Sequence, residues 1–399
     1  PVPILGGGRL TGKIGPISVG ALNVGTDEVK EVDALGNEST VAELTNFTAV
    51  RLRADILGRS NIGALFTSRS RSLASDGWNH TYGADASFAF FEDLYISGYY
   101  ALTETPGLTD PAERSGQSYQ ARVNYNADQE GFSAGYLLVE DNFNPEVGFL
   151  RRSGFRQAQV SLRRSSRPSL EAIRRVTIQA DADYMENARL GYVESRGISA
   201  SVGIEFESSD QIDLSYTDTY ENLTQDERIT GAMISAGRYP FGSVQASYSF
   251  GPQRFLSGNV SARYGTFYHG RLASAGISRG RIEVTPQLSL EPSVSYNWVD
   301  LPGHRETYWK EPPSETYTTT LAATRVNFTF TPRMFLSALV QYNSSNDSFS
   351  TNARLRWEYA PGSEIFLVYT EERDTSDFER FPVLSGRGLV LKVTRLLRF

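Results

Sequence analysis

The chain has 399 residues, enough for two or three ordinary domains or for one very large sheet. It carries 21 Tyr, 22 Phe and 35 Gly, but no Cys, three Met and three His, and its net charge is −7. This rules out a disulfide framework and thiolate metal sites, leaves little for a His-based metal cluster, and gives no electrostatic case for a nucleic-acid partner.

Nearly all the basic residues are Arg; Lys occurs at 13, 30, 310 and 392. No window holds 18 consecutive apolar residues, so no transmembrane helix is expected. The low mean hydropathy does not argue against a membrane, because a membrane barrel needs only alternate residues to be apolar.

In chain order the pattern is strict alternation. It yields 21 strands: about 7–14, 16–28, 46–57, 60–70, 80–91, 94–106, 117–127, 131–140, 154–166, 173–187, 192–208, 211–221, 232–250, 255–267, 271–285, 288–300, 316–331, 334–345, 348–360, 364–373 and 386–398. Tyr82, Ala84, Ala86, Phe88 and Phe90 share one face of the fifth. Val176, Ile178, Ala180, Ala182 and Tyr184 share one face of the tenth, with Thr177, Gln179, Asp181 and Asp183 on the other. No stretch of ten residues reads convincingly as a helix; residues 169–175 come nearest.

These segments are longer than the five or six residues usual in soluble sheets, and suit a tilted span of about 9–11 residues. The connections fall into two classes. Short turns occur at Gly15-Pro16, Gly58-Arg59-Ser60, Glu92-Asp93, Asp128-Gln129, Asp210-Gln211, Pro286-Gln287, Pro332-Arg333 and Pro361-Gly362. Long polar links alternate with them at about 30–45, 71–79, 108–116, 141–153, 221–230, 301–315 and 374–386. Short turns on one side and long loops on the other is the asymmetry of outer-membrane barrels, and aromatic pairs such as Tyr296 with Trp298 and Trp357 with Tyr359 suit an interfacial girdle.

The first strand ends at a short turn, so it runs toward the periplasm and is entered from outside. With an even strand count the rule for single-chain bacterial barrels, one further strand is expected before residue 1, about 22 in all, within a single barrel domain over 1–399; a miscount within 221–250 is the rival explanation of the odd tally. The last strand ends on Phe399, as does the signal read by the barrel insertion machinery, although Arg395 interrupts its apolar face. The expected fold class is therefore an all-β, antiparallel transmembrane barrel in the bacterial outer membrane, with aromatic faces toward lipid and polar faces inward.

On the inward faces, Asp181, Asp183, Glu205, Glu207 and Asp213 form an acidic stretch; Arg325, Arg354, Arg356 and Glu358, with Lys392, form a mainly basic one. Arg122, Arg163 and Arg263 lie elsewhere. Such segregation suits the sieving of polar or zwitterionic solutes; equally, the charges can pair with one another or with a plug protein. His80, His269 and His304 lie near strand ends or long links without diagnostic spacing, so a rim hydrolase is a minor alternative and no enzyme is expected. Gly6, Gly7 and Gly8 of GGGRLTG lead into a strand rather than a helix, which disqualifies a phosphate loop. In the link EDNFNPEVGFLRRSGFR, Asp141, Asn142, Asn144 and Glu146 are closely spaced oxygen donors of the kind that hold Ca²⁺, although their spacing follows no known calcium loop and Asn-Pro equally favours a turn.

The stretches PILGGGRLTGKIG (3–15), NFTAVRLRADILGRSNIGALFTSR (46–69), DNFNPEVGFLRRSGFR (141–156), RYGTFYHGR (263–271) and LRWEYAPGSEIFLVYTEERD (355–374) resemble an uncharacterised bacterial family. Its members pair an N-terminal carbohydrate-binding-like β-sandwich with a C-terminal outer-membrane barrel. The resemblance implies that a sandwich and a first barrel strand precede residue 1; it carries no catalytic residues. The functional expectation is passage or surface handling of a polar solute, plausibly a saccharide, with a barrel that anchors partner proteins at the cell surface as the alternative.

Overall fold

The computed structural model describes residues 2–32, 38–229, 232–301, 315–377 and 380–396. His304 and Phe399 lie outside them, as does most of the 301–315 link.

Alternating β-branched and aromatic residues fit a pleated, half-covered surface, and the chain is accordingly almost all strand. By internal contacts it forms two compact units, residues 1–164 with 180–198, and residues 165–179 with 199–399. In the first lie β1 (Ile4–Ile14), β2 (Ile17–Thr26), β3 (Val29–Val32), β4 (Glu38–Ala42), β5 (Thr45–Ile56), β6 (Ser60–Arg69), β7 (Asn79–Phe90), β8 (Leu94–Glu104), β9 (Ser115–Asn126) and β10 (Glu130–Val139). The boundary between the units runs through β11 (Phe155–Ser166), β12 (Ile173–Asn187) and β13 (Val193–Phe206).

The second unit continues with β14 (Gln211–Leu223), β15 (Glu227–Ile229), β16 (Ala232–Ile234), β17 (Gly237–Phe250), β18 (Leu256–Phe267), β19 (Gly270–Thr285), β20 (Leu288–Leu301), β21 (Glu315–Thr331), β22 (Met334–Asn343), β23 (Ser348–Ala360), β24 (Ser363–Asp374) and β25 (Val383–Thr394). Twenty-one strands belong to one antiparallel sheet, while β3–β4 and β15–β16 are separate hairpins. Within each unit every long strand pairs with its chain neighbour, as β7 does with β8 and β23 with β24.

The 21 expected strands correspond one for one to the 21 strands of the sheet, with ends displaced by a few residues. The short turns are built as their residues require. Pro361 and Gly362 alone join β23 to β24; Pro presets one turn position and Gly362, at φ +75°, takes the left-handed one. The Gly362 amide also donates to Glu358 Oε1 at 2.9 Å.

Residues 169–172 form a bend and turn and Ile173 opens β12, as the expected strand over 173–187 requires. Two expectations change. Residues 29–42 hold a small hairpin inside an expected loop. Residues 232–234 do not begin the long strand but fold back on 227–229, and β17 starts only at Gly237. Burial is the reason, since Ala232 and Ile234 are almost wholly covered.

The distribution of apolar burial decides the class. Among the described residues nine apolar side chains are buried: Val139, Phe143, Phe155, Ala232, Ile234, Tyr239, Tyr268, Val299 and Leu301. Eight of them sit in the long links or near the strand ends next to them, and Tyr268 sits in the two-residue join between β18 and β19. Along the strands the apolar faces are open: Ile178 is 56% exposed, Ile198 50% and Val202 40%. A soluble sandwich of this size would be dry at mid-strand. Long antiparallel strands with an exposed apolar face and a polar opposite face define the transmembrane β-barrel class.

Candidate functional site

The polar face of the sheet carries charge that is largely accounted for within each unit. In the first, Arg51 pairs with Asp85 (Nη2 to Oδ1 2.8 Å), its guanidinium lying across Gly63, where a Cβ would meet it at 2.6 Å. Arg163 crosses Gly131 in the same way and donates to Asn126 Oδ1 at 2.9 Å. Asp183 lies against Gly197. Glycine on the facing strand lets a charged side chain lie flat along the wall.

In the second unit the acidic residues are met by two arginines that carried no role in the sequence reading. Glu205 accepts from Arg174 at 3.0 Å and Arg175 at 2.8 Å, and Glu207 lies 3.5 Å from Arg174. Asp213 accepts from Gln211 at 2.8 Å, and Arg263 donates to Ser243 at 2.9 Å. Farther along, Arg325 stands opposite Glu291, whose Oε1 accepts from Asn327 at 2.9 Å.

Arg354, Arg356, Glu358 and Lys392 come together on β23 and β25. Arg354 stacks over the Phe366 ring at 4.9 Å, and Arg356 over Phe335 at 5.6 Å while pairing with Glu364. Lys392 is the register partner of Phe366. Among the described residues neither Arg354 nor Lys392 makes an ion pair, so this part of the polar face presents two cations beside two aromatic rings. Stacked guanidiniums are held in place by the ring quadrupole. Phe335 and Phe366 could have been read from their register opposite Arg356, but nothing in the sequence distinguishes them from ordinary strand aromatics.

The long links fold onto the polar face. Phe143 of the 140–154 link packs with Val139 and Phe155, against Leu137, Leu150 and Met185. The link is latched by Glu146, whose side chain is 1% exposed and accepts from Ser72 Oγ at 2.7 Å and Leu73 N at 2.9 Å, with Arg69 at 3.6 Å. Asn79, 0% exposed, donates to Asn144 O at 2.8 Å and to Thr105 Oγ1 at 2.9 Å, and accepts from Glu146 N at 3.2 Å.

Sequence spacing singled out Asp141, Asn142, Asn144 and Glu146 for Ca²⁺; the fold does bring them together, but commits them otherwise. Asn142 donates its amide to Ala112 O at 2.9 Å and to Ser115 O; Asn144 donates to Glu146; Asp141 lies 3.3 Å from Arg189. Among the described residues no group of three or more His, Asp and Glu is arranged to hold a metal. Asp141, Asn142, Asn144 and Arg189, with Asp110 and Glu113, instead line an open cavity of about 460 Å³. Partner loops 105–114 and 188–192 are remote in sequence, so no local signal reveals it.

In the second unit the β15–β16 hairpin does the same. Ala232 and Ile234 pack against Tyr239, Tyr268, Val299 and Leu301, with Phe241, Leu272 and Tyr317 around them. Tyr239, Phe241, Leu272 and Val299 share the register of polar-face residues. Tyr239 donates to Ser235 O at 2.8 Å and Tyr268 donates to Glu221. Burial, then that carboxylate, push the Tyr268 hydroxyl well above the usual phenol range.

His80 stacks on Trp78 at 3.7 Å, edge-on to Phe66, in an aromatic group at the end of β7. His269 lies by Tyr239 in the β18–β19 turn.

No family model matches the chain, and none of the curated proteins matches it. Among solved structures it is similar to one described as "Copper transporter OprC", with 10% sequence identity and a TM-score of 0.39, over 98% of this chain and 70% of that one.

Proposed function

We propose that the chain is a barrel of the bacterial outer membrane through which a polar solute passes, its mouth narrowed by its own links. The observation that carries this reading is the polarity of the sheet: exposed apolar side chains along the strands, with apolar burial confined to the long-link end. In hydrocarbon every backbone group must be satisfied within the protein, which long paired strands achieve. The opposite face offers Arg354, Arg356 and Lys392 beside Phe335 and Phe366, a surface suited to hydroxyl-rich or anionic groups that stack on a ring while hydrogen-bonding to a guanidinium. Saccharides have that chemistry, in keeping with the resemblance to barrels that carry a carbohydrate-binding-like sandwich. On this reading the terminal strand and Phe399 address the insertion machinery, and membrane lipid is the immediate partner.

Planar-bilayer recording of the purified chain tests the proposal. The expected result is a small conductance that rises severalfold when residues 227–234 are replaced by a Gly-Ser turn, because the hairpin packs on the polar face. Absence of current from both proteins, inserted and folded, would overturn it.

A further inference from the structure

We infer that the polar face of β21–β25 binds a chain of acidic sugars, with Arg325, Arg354 and Lys392 as its carboxylate contacts; this deepens the passage reading above and rests on it. The three cations form a regular diagonal. Arg325 of β21 shares a cross-strand row with Leu339 and Asn352, and Arg354 is two residues beyond Asn352 on β23. Arg354 in turn shares a row with Val368 and Val390, and Lys392 is two residues beyond Val390 on β25. Each step is two strands across and two residues along, about 12 Å between backbones at the usual strand spacing and rise.

These are the uncommitted charges of this face. All three residues are exposed, and among the described residues none of their side chains makes a hydrogen bond or an ion pair. Arg356, by contrast, is held by Glu364. Two further carboxylates nearby have donors of their own. Glu291 accepts from Asn327 at 2.9 Å, and Glu358 accepts the Gly362 amide at 2.9 Å. Glu372 lies on the same face of β24, four residues beyond Val368 toward the long links.

Ligand chemistry follows from how the cations are held. Arg354 lies over the Phe366 ring at 4.9 Å, and Lys392 stands opposite Phe366 in register. Stacking occupies the face of a guanidinium and leaves its N–H edge for a planar acceptor with two oxygens, which a carboxylate supplies. Lys392 adds a point charge on the other side of the ring. A single carboxylate can occupy one step of the diagonal only. A chain with an acid on each ring reaches several steps, and linked contacts reinforce one another without any new bond. A neutral sugar finds hydrogen-bond donors here but gains nothing from the three charges. The hydroxyl-rich solute of the passage reading is then one that carries carboxylates.

Single-channel recording of the full chain in planar bilayers reads this directly. Trigalacturonate is expected to interrupt the current at about tenfold lower concentration than maltotriose, an uncharged chain of the same length, and than monomeric galacturonate. Raising the salt concentration should weaken that block. Arg325→Gln, Arg354→Gln and Lys392→Gln should each raise the blocking concentration severalfold, and the triple variant should respond to both trisaccharides alike. Heat-modified electrophoretic mobility of each variant confirms an intact barrel. Equal block of the wild-type chain by the two trisaccharides, or trigalacturonate block unchanged in the triple variant, overturns the inference and leaves the passage reading intact. Absence of current from both the wild-type chain and the chain with residues 227–234 replaced would instead overturn the passage reading and this inference with it.

Discussion

Asp210 shows how much one short turn can depend on a single carboxylate. It accepts from Gly251 N at 2.8 Å, Tyr248 OH at 2.9 Å, Ser208 Oγ at 3.1 Å and both arms of Arg254, tying the turn before β14 to the turn before β18. Arg254 first, then the Gly251 amide, hold its pKa far below the ordinary carboxylate value of about 4. A depressed folded-state pKa means stability that is fully present above the unfolded value and lost as pH falls toward the folded one. Asp210→Asn should therefore lower the urea midpoint at pH 7 and flatten the loss of stability below pH about 4; an unchanged acid limb would refute the linkage. Asn79 is a case of the opposite kind, neutral and wholly covered. Asn79→Ala leaves the Asn144 carbonyl and Glu146 amide without their partner, a cost of about 1–3 kcal/mol, and should speed proteolysis within 140–154 while leaving strand content unchanged. Neither role was legible: the sequence showed Asp210 only as a turn residue and Asn79 only as the residue before a strand.

At the scale of the element, two strand residues side by side should answer a charge in opposite ways. Val202 lies on the exposed apolar face of β13 and Ser201 on the polar face. Val202→Arg should cost about 2–4 kcal/mol near the bilayer midplane, whereas Ser201→Arg should be close to neutral, measured by reversible unfolding from lipid vesicles. Comparable costs would mean that the faces are assigned wrongly. The strands themselves could be read because period two is local and was uninterrupted over ten residues or more, as in Ile198 to Phe206. The β15–β16 hairpin could not, because Ala232-Met233-Ile234 alternates as well as any strand start. What turns it back is the distant cluster of Tyr239, Tyr268, Val299 and Leu301.

For the whole molecule, the question left open by alternation is which face meets water. Removing the hairpin and recording current addresses it, since the hairpin alters conductance only if the face it covers lines the path. The loop asymmetry expected from sequence is present but incomplete. The link between β10 and β11 runs through 140–154, whereas β18 and β19, on the same side, are joined by Tyr268 and His269 alone. A list of long loops does not reveal that tight join.

The sequence by itself determined the number and order of the sheet strands and which residues share a face, because each depends on neighbours one or two positions apart. Tertiary structure decided the rest. It placed Arg174 and Arg175 on Glu205, folded the 140–154 link and the hairpin onto the polar face, and gave Asn142, Asn144 and Glu146 hydrogen-bond partners within the protein. Those outcomes join residues tens of positions apart, and a charge or an amide takes whichever partner the fold brings within hydrogen-bonding reach.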